Sequence, residues 1–364
     1  MRIVFSGGGT AGHINPAIAI ANYIKDKYTD SEILFIGTKD GFESRIVPEA
    51  GYDIKYIKAR GFKRRLSLNT FLALKEFVFG YIKAGRILKK FKPDIVIGTG
   101  GYVSGAVLMK AVNMKIPTMV QEQNAFPGIT NKLLGKKVDA VALAFEEGAK
   151  YFAGVKKVEC TGNPVKKEVL NANRVDAREK LGLSENDKML LITSGSRGAE
   201  TVNLAVSNMI KKHIDEGKFK IYMATGRVNY EEVKKQLGEY ANKITLVDYI
   251  NNMYEIYAAS DLVLCRAGAM TVSELVAIGK PAIFIPSPYV TANHQEYNAR
   301  TLVDKNAAKM ILEKDLNEDI LYEVICDVIS NDDKLKEMGQ NAKKCGIVNS
   351  LEKIEEIIES IVKR

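Results

Sequence analysis

The chain has 364 residues, 46% of them apolar and 27% charged, and a formal net charge of +9. That length exceeds one average domain and predicts two, with enough apolar residues for real cores, and no apolar run reaches the roughly 20 residues that span a bilayer. The N-terminus enters a strand pattern directly, without the layout of a signal peptide. The four cysteines, Cys160, Cys265, Cys326 and Cys345, lie far apart and form no CxxC pair, so they read as reduced, cytosolic thiols.

The first apolar pattern, Ile3-Val4-Phe5, runs into Ser6-Gly7-Gly8-Gly9-Thr10-Ala11-Gly12-His13-Ile14-Asn15-Pro16. Four glycines let the backbone turn sharply and bring its N–H groups close to an anionic or sugar-like ligand. His13, one of three histidines, adds a titratable group to the same turn. Gly7, Gly9 and Gly12 match G-x-G-x-x-G, a weak signal for a dinucleotide site. Asn15-Pro16 reads as N-cap and first helical residue, which starts the helix beyond the glycine run and speaks against that site. A Walker loop is excluded, because no Lys-Ser or Lys-Thr follows the glycines.

Further apolar strands are predicted at 33–37, 95–98, 118–121 and 140–143. Between the second and third, residues 60–92 hold ten basic residues and one acid, Glu76. Aromatic residues such as Phe71 and Phe77 interleave with the charges. The mixture suits a helix lying on anionic lipid; an ordinary surface helix facing its own core is the plain alternative. Nucleic acid is not expected as a partner, since no motif for it accompanies the charges. Gly98-Thr99-Gly100-Gly101-Tyr102-Val103-Ser104-Gly105 follows one strand and reads as the lining of a ligand crevice. Gln121-Glu122-Gln123-Asn124 follows the next and reads either as a sugar-binding cluster or as a solvated loop.

A second strand series falls at 189–193, 220–224, 244–247, 262–265 and 282–285. It opens with the same strand, glycine turn and helix, through Ser194-Gly195-Ser196-Arg197-Gly198. Short β-rich runs alternating with helices predict an α/β protein of two doubly wound parallel-sheet domains facing each other. Thr161-Gly162-Asn163-Pro164 reads as the connector. In the second half, Arg266-Ala267-Gly268 turns the chain into a helix. Thr271 and Glu274 have capping-box spacing, while the N–H groups around Ala269, Met270 and Thr271 form an anion site that a diphosphate would fit. Asn293-His294-Gln295-Glu296 reads as a hydroxyl-binding cluster. Ile347, Leu351, Ile354, Ile358 and Ile361 make one helical stripe in the tail, expected to cross back to the first domain. The expected domains are 1–162 for acceptor and membrane, 163–345 for donor, and the tail 346–364.

These motifs, in this order, resemble those of the bacterial N-acetylglucosaminyltransferases that make lipid II for peptidoglycan, the MurG family. The residues that carry the resemblance are Gly8 to His13 with Asn15-Pro16, Gly100 to Gly105, Glu122-Gln123-Asn124, Gly162-Asn163-Pro164-Val165, Gly195 to Ala199, and Cys265 to Ala269 through Glu274. The resemblance implies a GT-B glycosyltransferase whose two Rossmann-like domains hold the donor, UDP-N-acetylglucosamine, in the cleft between them. The implied acceptor is lipid I, undecaprenyl-diphospho-N-acetylmuramoyl-pentapeptide, whose 4-hydroxyl attacks the anomeric carbon with inversion. It further implies donor contacts from Thr10, Ala11, Gly12, Asn124, Lys166, Ser196, Ile250, Ala269, Met270, Thr271, Glu274 and Gln295. Acceptor contacts are expected from Gly100, Gly101, Tyr102 and Ser104. Lys166 and Arg197 stand where arginine and glutamine are common in the family, and a lysine cannot donate a planar fork.

Chemistry adds the remaining expectations. The attacking hydroxyl needs a base, for which His13 is the first choice and Glu122 the second. Loop and helix N–H groups can meet the leaving diphosphate, so no obligatory cofactor or metal is expected. Lys63, Arg64, Arg65, Phe71 and Phe77 are expected to seat the protein peripherally on the anionic, cytoplasmic face of the membrane. Rival readings are another GT-B enzyme such as a diacylglycerol glycosyltransferase or a sugar-nucleotide epimerase, a nicotinamide-dependent oxidoreductase using Gly7, Gly9 and Gly12, and a non-catalytic basic scaffold binding membrane or RNA.

Overall fold

The computed structural model describes residues 1–61, 68–195 and 198–362, with the side chains of 68–71 excepted. The chain divides into two compact units, Met1–Pro164 with Asn349–Arg364, and Val165–Val348. Among the described residues the first holds seven strands: β1 (Arg2–Gly7), β2 (Glu32–Gly37), β3 (Asp53–Tyr56), β4 (Ile95–Gly100), β5 (Thr118–Glu122), β6 (Ala140–Leu143) and β7 (Lys157–Cys160). The second holds β8 (Met189–Thr193), β9 (Lys220–Ala224), β10 (Thr245–Val247), β11 (Leu262–Cys265), β12 (Ala282–Phe284) and β13 (Lys309–Met310). Every pairing is parallel, in the orders β3-β2-β1-β4-β5-β6-β7 and β10-β9-β8-β11-β12-β13. Each unit is thus a doubly wound, Rossmann-like α/β layer structure, the fold class the alternation predicted.

The central strands are continuous apolar runs because helices cover both faces, leaving no face for polar alternation. β1, β4, β8 and β11 are buried almost throughout. The three strands absent from the sequence reading, β3, β7 and β13, all lie at sheet edges. There one flank meets solvent, and Asp53-Ile54-Lys55-Tyr56 and Lys157-Val158-Glu159-Cys160 alternate polar with apolar residues. In each sheet the strand order reverses once, at β1/β4 and at β8/β11. Such reversals open a crevice outside the carboxyl ends of the strands, and both glycine turns singled out in the sequence sit there.

The tail helix Ser350–Val362 belongs to the first unit. Ile354, Ile357, Ile358 and Ile361 are buried in one core with Ile3, Phe5, Ile14 and Ile20. Burial of each such side chain contributes about 1.5–3 kcal/mol. Glu355 anchors the polar side by accepting hydrogen bonds from Tyr23 Oη (3.0 Å), Tyr28 Oη (2.6 Å) and Lys27 Nζ (2.6 Å).

One sequence expectation is corrected outright. The first helix runs Ala11–Lys27, with extended Thr10 as its N-cap and Pro16 inside it. The glycine run therefore does end in a helix N-terminus, and Asn15-Pro16 is not its start. Pro16 has no N–H for the carbonyl of Gly12, so the helix lacks that bond in its second turn, and the ring is buried.

Candidate active site

In the first unit the turns after β1 and β4 interlock. Gly8 N–H donates to the Gly100 carbonyl (3.2 Å), and a Cβ on Gly101 would lie 2.2 Å from the Gly8 oxygen. Gly100 and Gly101 have φ of +112° and +82°, a region that only glycine enters without strain. Behind the first loop stands Glu43, which is 1% exposed. One of its oxygens accepts Gly9 N–H (3.2 Å), and the other accepts the amide (2.9 Å) and hydroxyl (2.6 Å) of Thr38. The amides of Gly8 and Gly9 are thereby occupied and do not cradle a phosphate, which revises the anion-site reading of this loop. The sequence reading missed Glu43; its only local signal is an acid directly after the turn Gly41-Phe42.

His13 lies in the first turn of the helix Ala11–Lys27 and is half-buried. Its carbonyl accepts from Thr99 Oγ1 (2.6 Å), and its ring Nδ1 lies 2.9 Å from Gln123 Oε1. Thr10, Ala11 and Gly12 are exposed beside it. Tyr102 is half-buried, its ring 3.5 Å from where a Cβ on Gly9 would stand.

Glu122 is 1% exposed and accepts from Asn124 N–H (2.9 Å), Asn124 Nδ2 (3.2 Å), Gly128 N–H (3.1 Å) and Asn131 Nδ2 (2.8 Å). Four donors fill a carboxylate's lone pairs. Glu122 therefore holds the loop after β5 and has no lone pair left for a hydroxyl, which corrects its choice as second base. Asn124 stays half-buried on the shaped loop. Ser104 is likewise corrected: it is fully buried, and its Oγ donates to the Gly101 carbonyl (2.9 Å).

In the second unit, the helix Ala269–Ala277 follows β11 with Gly268 as its N-cap. Thr271 and Glu274 are its third and sixth residues, so the capping-box reading of Glu274 fails. The backbone of Ala269, Met270 and Thr271 forms its first turn, at the positive end of the helix dipole. Glu274 is half-buried, and burial pushes its carboxyl up to about 7, with nearby Lys166 and a hydrogen bond from Tyr257 acting in the opposite sense. Tyr257, 2% exposed, is a partner the sequence did not reveal. Arg266 supports the turn through Glu313 (2.5 Å) and the Ile285 carbonyl (3.0 Å). Gln295 Oε1 accepts from Ser287 N–H (2.9 Å), which leaves its NH2 group to donate elsewhere. Ile250 is buried after β10, and Lys166 is exposed. Ser196 and Arg197 lie outside the described residues. Among the described residues no three His, Cys, Asp or Glu side chains group as a metal site would need.

Residues 68–91 of the basic segment form the helix Leu68–Phe91. Phe77 turns inward, packed on the core of the first unit beside the helix Tyr102–Asn113, so it is not a lipid-facing residue. The outer side instead exposes Leu72, Leu74, Val78, Phe79 and Ile82. A groove of about 1200 Å³ runs there, with Lys75, Lys83 and Arg86 along it. Lys63, Arg64, Arg65 and the side chain of Phe71 lie outside the described residues. Among those described, no helix is long and apolar enough to cross a membrane.

Comparison with known proteins gives two matching family models, the glycosyltransferase family 28 N-terminal domain over residues 3–143 and its C-terminal domain over residues 189–359. A relative from Acetivibrio thermocellus is 53% identical over 364 residues, covering 100% of this chain and 99% of its own. One from Ruminiclostridium cellulolyticum is 46% identical over 365 residues, covering 100% of both. Both are named UDP-N-acetylglucosamine–N-acetylmuramyl-(pentapeptide) pyrophosphoryl-undecaprenol N-acetylglucosamine transferase. The crystal structure of Acinetobacter baumannii MurG superposes with a TM-score of 0.79 at 26% identity, covering 100% of this chain and 99% of that one. A UDP-GlcNAc 2-epimerase from Neisseria meningitidis shares the fold, with a TM-score of 0.68 at 17% identity and coverage of 99% and 100%.

Proposed function

We infer a glycosyl transfer, because the chain belongs to glycosyltransferase family 28: it moves N-acetylglucosamine from UDP-N-acetylglucosamine to the N-acetylmuramoyl 4-hydroxyl of lipid I, forming lipid II for peptidoglycan. The observation that carries this is 53% identity along the whole chain to a transferase of that name. The test is direct. Purified protein is given labelled UDP-N-acetylglucosamine and a lipid I analogue, and labelled lipid product is expected. Free labelled sugar or an epimerised nucleotide in its place would overturn the reading.

We propose that the first unit takes the acceptor and the second the donor. The acceptor oxygen bonds to the anomeric carbon as the bond from that carbon to the phosphate oxygen breaks. The hydroxyl proton passes to His13 Nε2, and UDP leaves with the electron pair. The first-turn amides at Ala269, Met270 and Thr271 would meet the charge developing on the diphosphate, aided by the helix dipole. Ser196 would add a hydroxyl to that cradle. Glu274 would accept the ribose hydroxyls and Ile250 would meet uracil through its main chain. Asn124 and Gln295 would hold the sugar, with Thr10, Ala11 and Gly12 along the donor and Lys166 as a point charge. Gly100, Gly101 and Tyr102 would face the acceptor. Peptide amides supply the charge stabilisation in this scheme, so turnover is expected to persist in excess EDTA; its loss there, restored by a divalent cation, would refute a metal-free reaction.

We also propose peripheral docking on the anionic, cytoplasmic face of the membrane. The support is the exposed apolar row on the helix Leu68–Phe91 with its flanking lysines and arginine. Charge reversal at Lys75, Lys83 and Arg86 is expected to weaken sedimentation with phosphatidylglycerol vesicles, most visibly at low salt. Unchanged binding would return this helix to an ordinary surface role.

A further inference from the structure

A neutral imidazole accepts a proton only at the ring nitrogen that carries none, and the neighbour of the other nitrogen selects which one that is. At His13 that neighbour is Gln123 Oε1, 2.9 Å from Nδ1. Hydrogens are assigned from the network of partners, and here the network leaves one solution. Gln123 Nε2 lies among three acceptors: the Thr99 carbonyl (2.8 Å), the Gln121 carbonyl (2.9 Å) and Gln121 Oε1 (2.5 Å). A flipped amide would set an oxygen against those three oxygens, so Oε1 is what faces His13. Gln121 is oriented in turn, because its Nε2 donates to Asn163 Oδ1 (2.9 Å). Asn163 closes the chain by donating Nδ2 to the Gln123 carbonyl (3.0 Å).

Gln121, Gln123 and Asn163 are each no more than 1% exposed. Three side-chain amides buried in a row at the end of an apolar sheet are costly unless every bond is made, and once made they allow a single arrangement. Gly100 lies beside the same edge of the ring, where only glycine fits: a Cβ there would stand 2.8 Å from Nδ1. None of the described residues hydrogen-bonds to Nε2.

We infer that Gln123, anchored by Gln121 and Asn163, is the positioning residue that holds His13 with its hydrogen on Nδ1, leaving Nε2 as the acceptor for the attacking hydroxyl's proton. This rests on the reading of His13 as the base. When Nε2 takes that proton, Nδ1–H keeps its bond to Gln123, so the ring does not turn during the reaction.

The test is nitrogen NMR of the full chain labelled at histidine, with the three histidines assigned by substitution. Wild-type His13 is expected as the Nδ1–H tautomer. Gln123→Met should move it toward the Nε2–H form and lower kcat about 10²-fold, with the KM for UDP-N-acetylglucosamine within about twofold. An unchanged UDP-induced thermal shift would show that the variant is folded. An Nε2–H tautomer in the wild type overturns the inference, as does a folded Gln123→Met protein that keeps both tautomer and turnover. The wild-type spectrum decides the tautomer even if that variant fails to fold. If the tautomer responds to Gln123 while His13→Ala retains full turnover, the base reading fails and the tautomer assignment survives it.

Discussion

The turns after β1 and after β11 share one sequence pattern, an apolar strand, a glycine turn and a helix, yet their backing residues make them chemically opposite. Behind the first stands the buried carboxyl of Glu43, which takes Gly9 N–H while Gly100 takes Gly8 N–H. Behind the second stands Arg266, paired with Glu313, and the helix Ala269–Ala277 opens with its first-turn amides. A glycine turn thus sets what the backbone can do, and the side chain behind it sets which ligand is welcome. The first turn presents a histidine; the second presents the N-terminus of the helix Ala269–Ala277, where a diphosphate is proposed to sit.

The largest effect that sharpens this contrast is expected at His13. His13→Ala should lower turnover by about 10²-fold or more, the scale of general-base loss, while UDP binding, read by calorimetry, stays near normal. Near-normal turnover would erase the chemical role of the first turn.

Next comes Glu274 in the second unit. Ribose hydroxyls donate to the ionised carboxylate, and its carboxyl is raised to about 7. UDP must therefore displace a proton below that pH, and its affinity should fall by up to about tenfold per unit as pH drops from 7. Glu274→Gln should flatten this dependence and weaken UDP about tenfold at pH 8, the effect of losing a hydrogen bond to a charged group. Stability runs the other way. The folded pKa lies above the ordinary 4.5, so Glu274's contribution is full below 4.5 and is lost as pH rises through about 7. A pH-independent UDP affinity would remove Glu274 from the nucleotide site.

The smallest effect belongs to Glu43. Glu43→Ala leaves Gly9 N–H and both Thr38 donors without their acceptor, for about 1–3 kcal/mol of stability, read as a lower Tm. UDP affinity should not move. A variant that gained phosphate affinity at the first turn would show the carboxyl to be a gate against anions as well as a brace.

The central strands were legible because a parallel sheet buried on both faces demands unbroken apolar runs. The edge strands β3, β7 and β13 were not, since half their surroundings are solvent. The order of the glycine motifs revealed the family and the transfer reaction. Individual site residues were read less well. Glu122, Ser104 and Phe77 have the right chemistry for the roles assigned to them, but the loop after β5, the Gly101 carbonyl and the core of the first unit claim them first.

Sequence alone determined the alternation of strand and helix, the two glycine turns and the kind of reaction, because these depend on residues adjacent in the chain. Only tertiary structure decided which donors and acceptors remain for a ligand. His13 meets Gln123 across 110 residues and Gly9 meets Glu43 across 34. A polar group's availability depends on what the fold brings against it, and no local pattern records that.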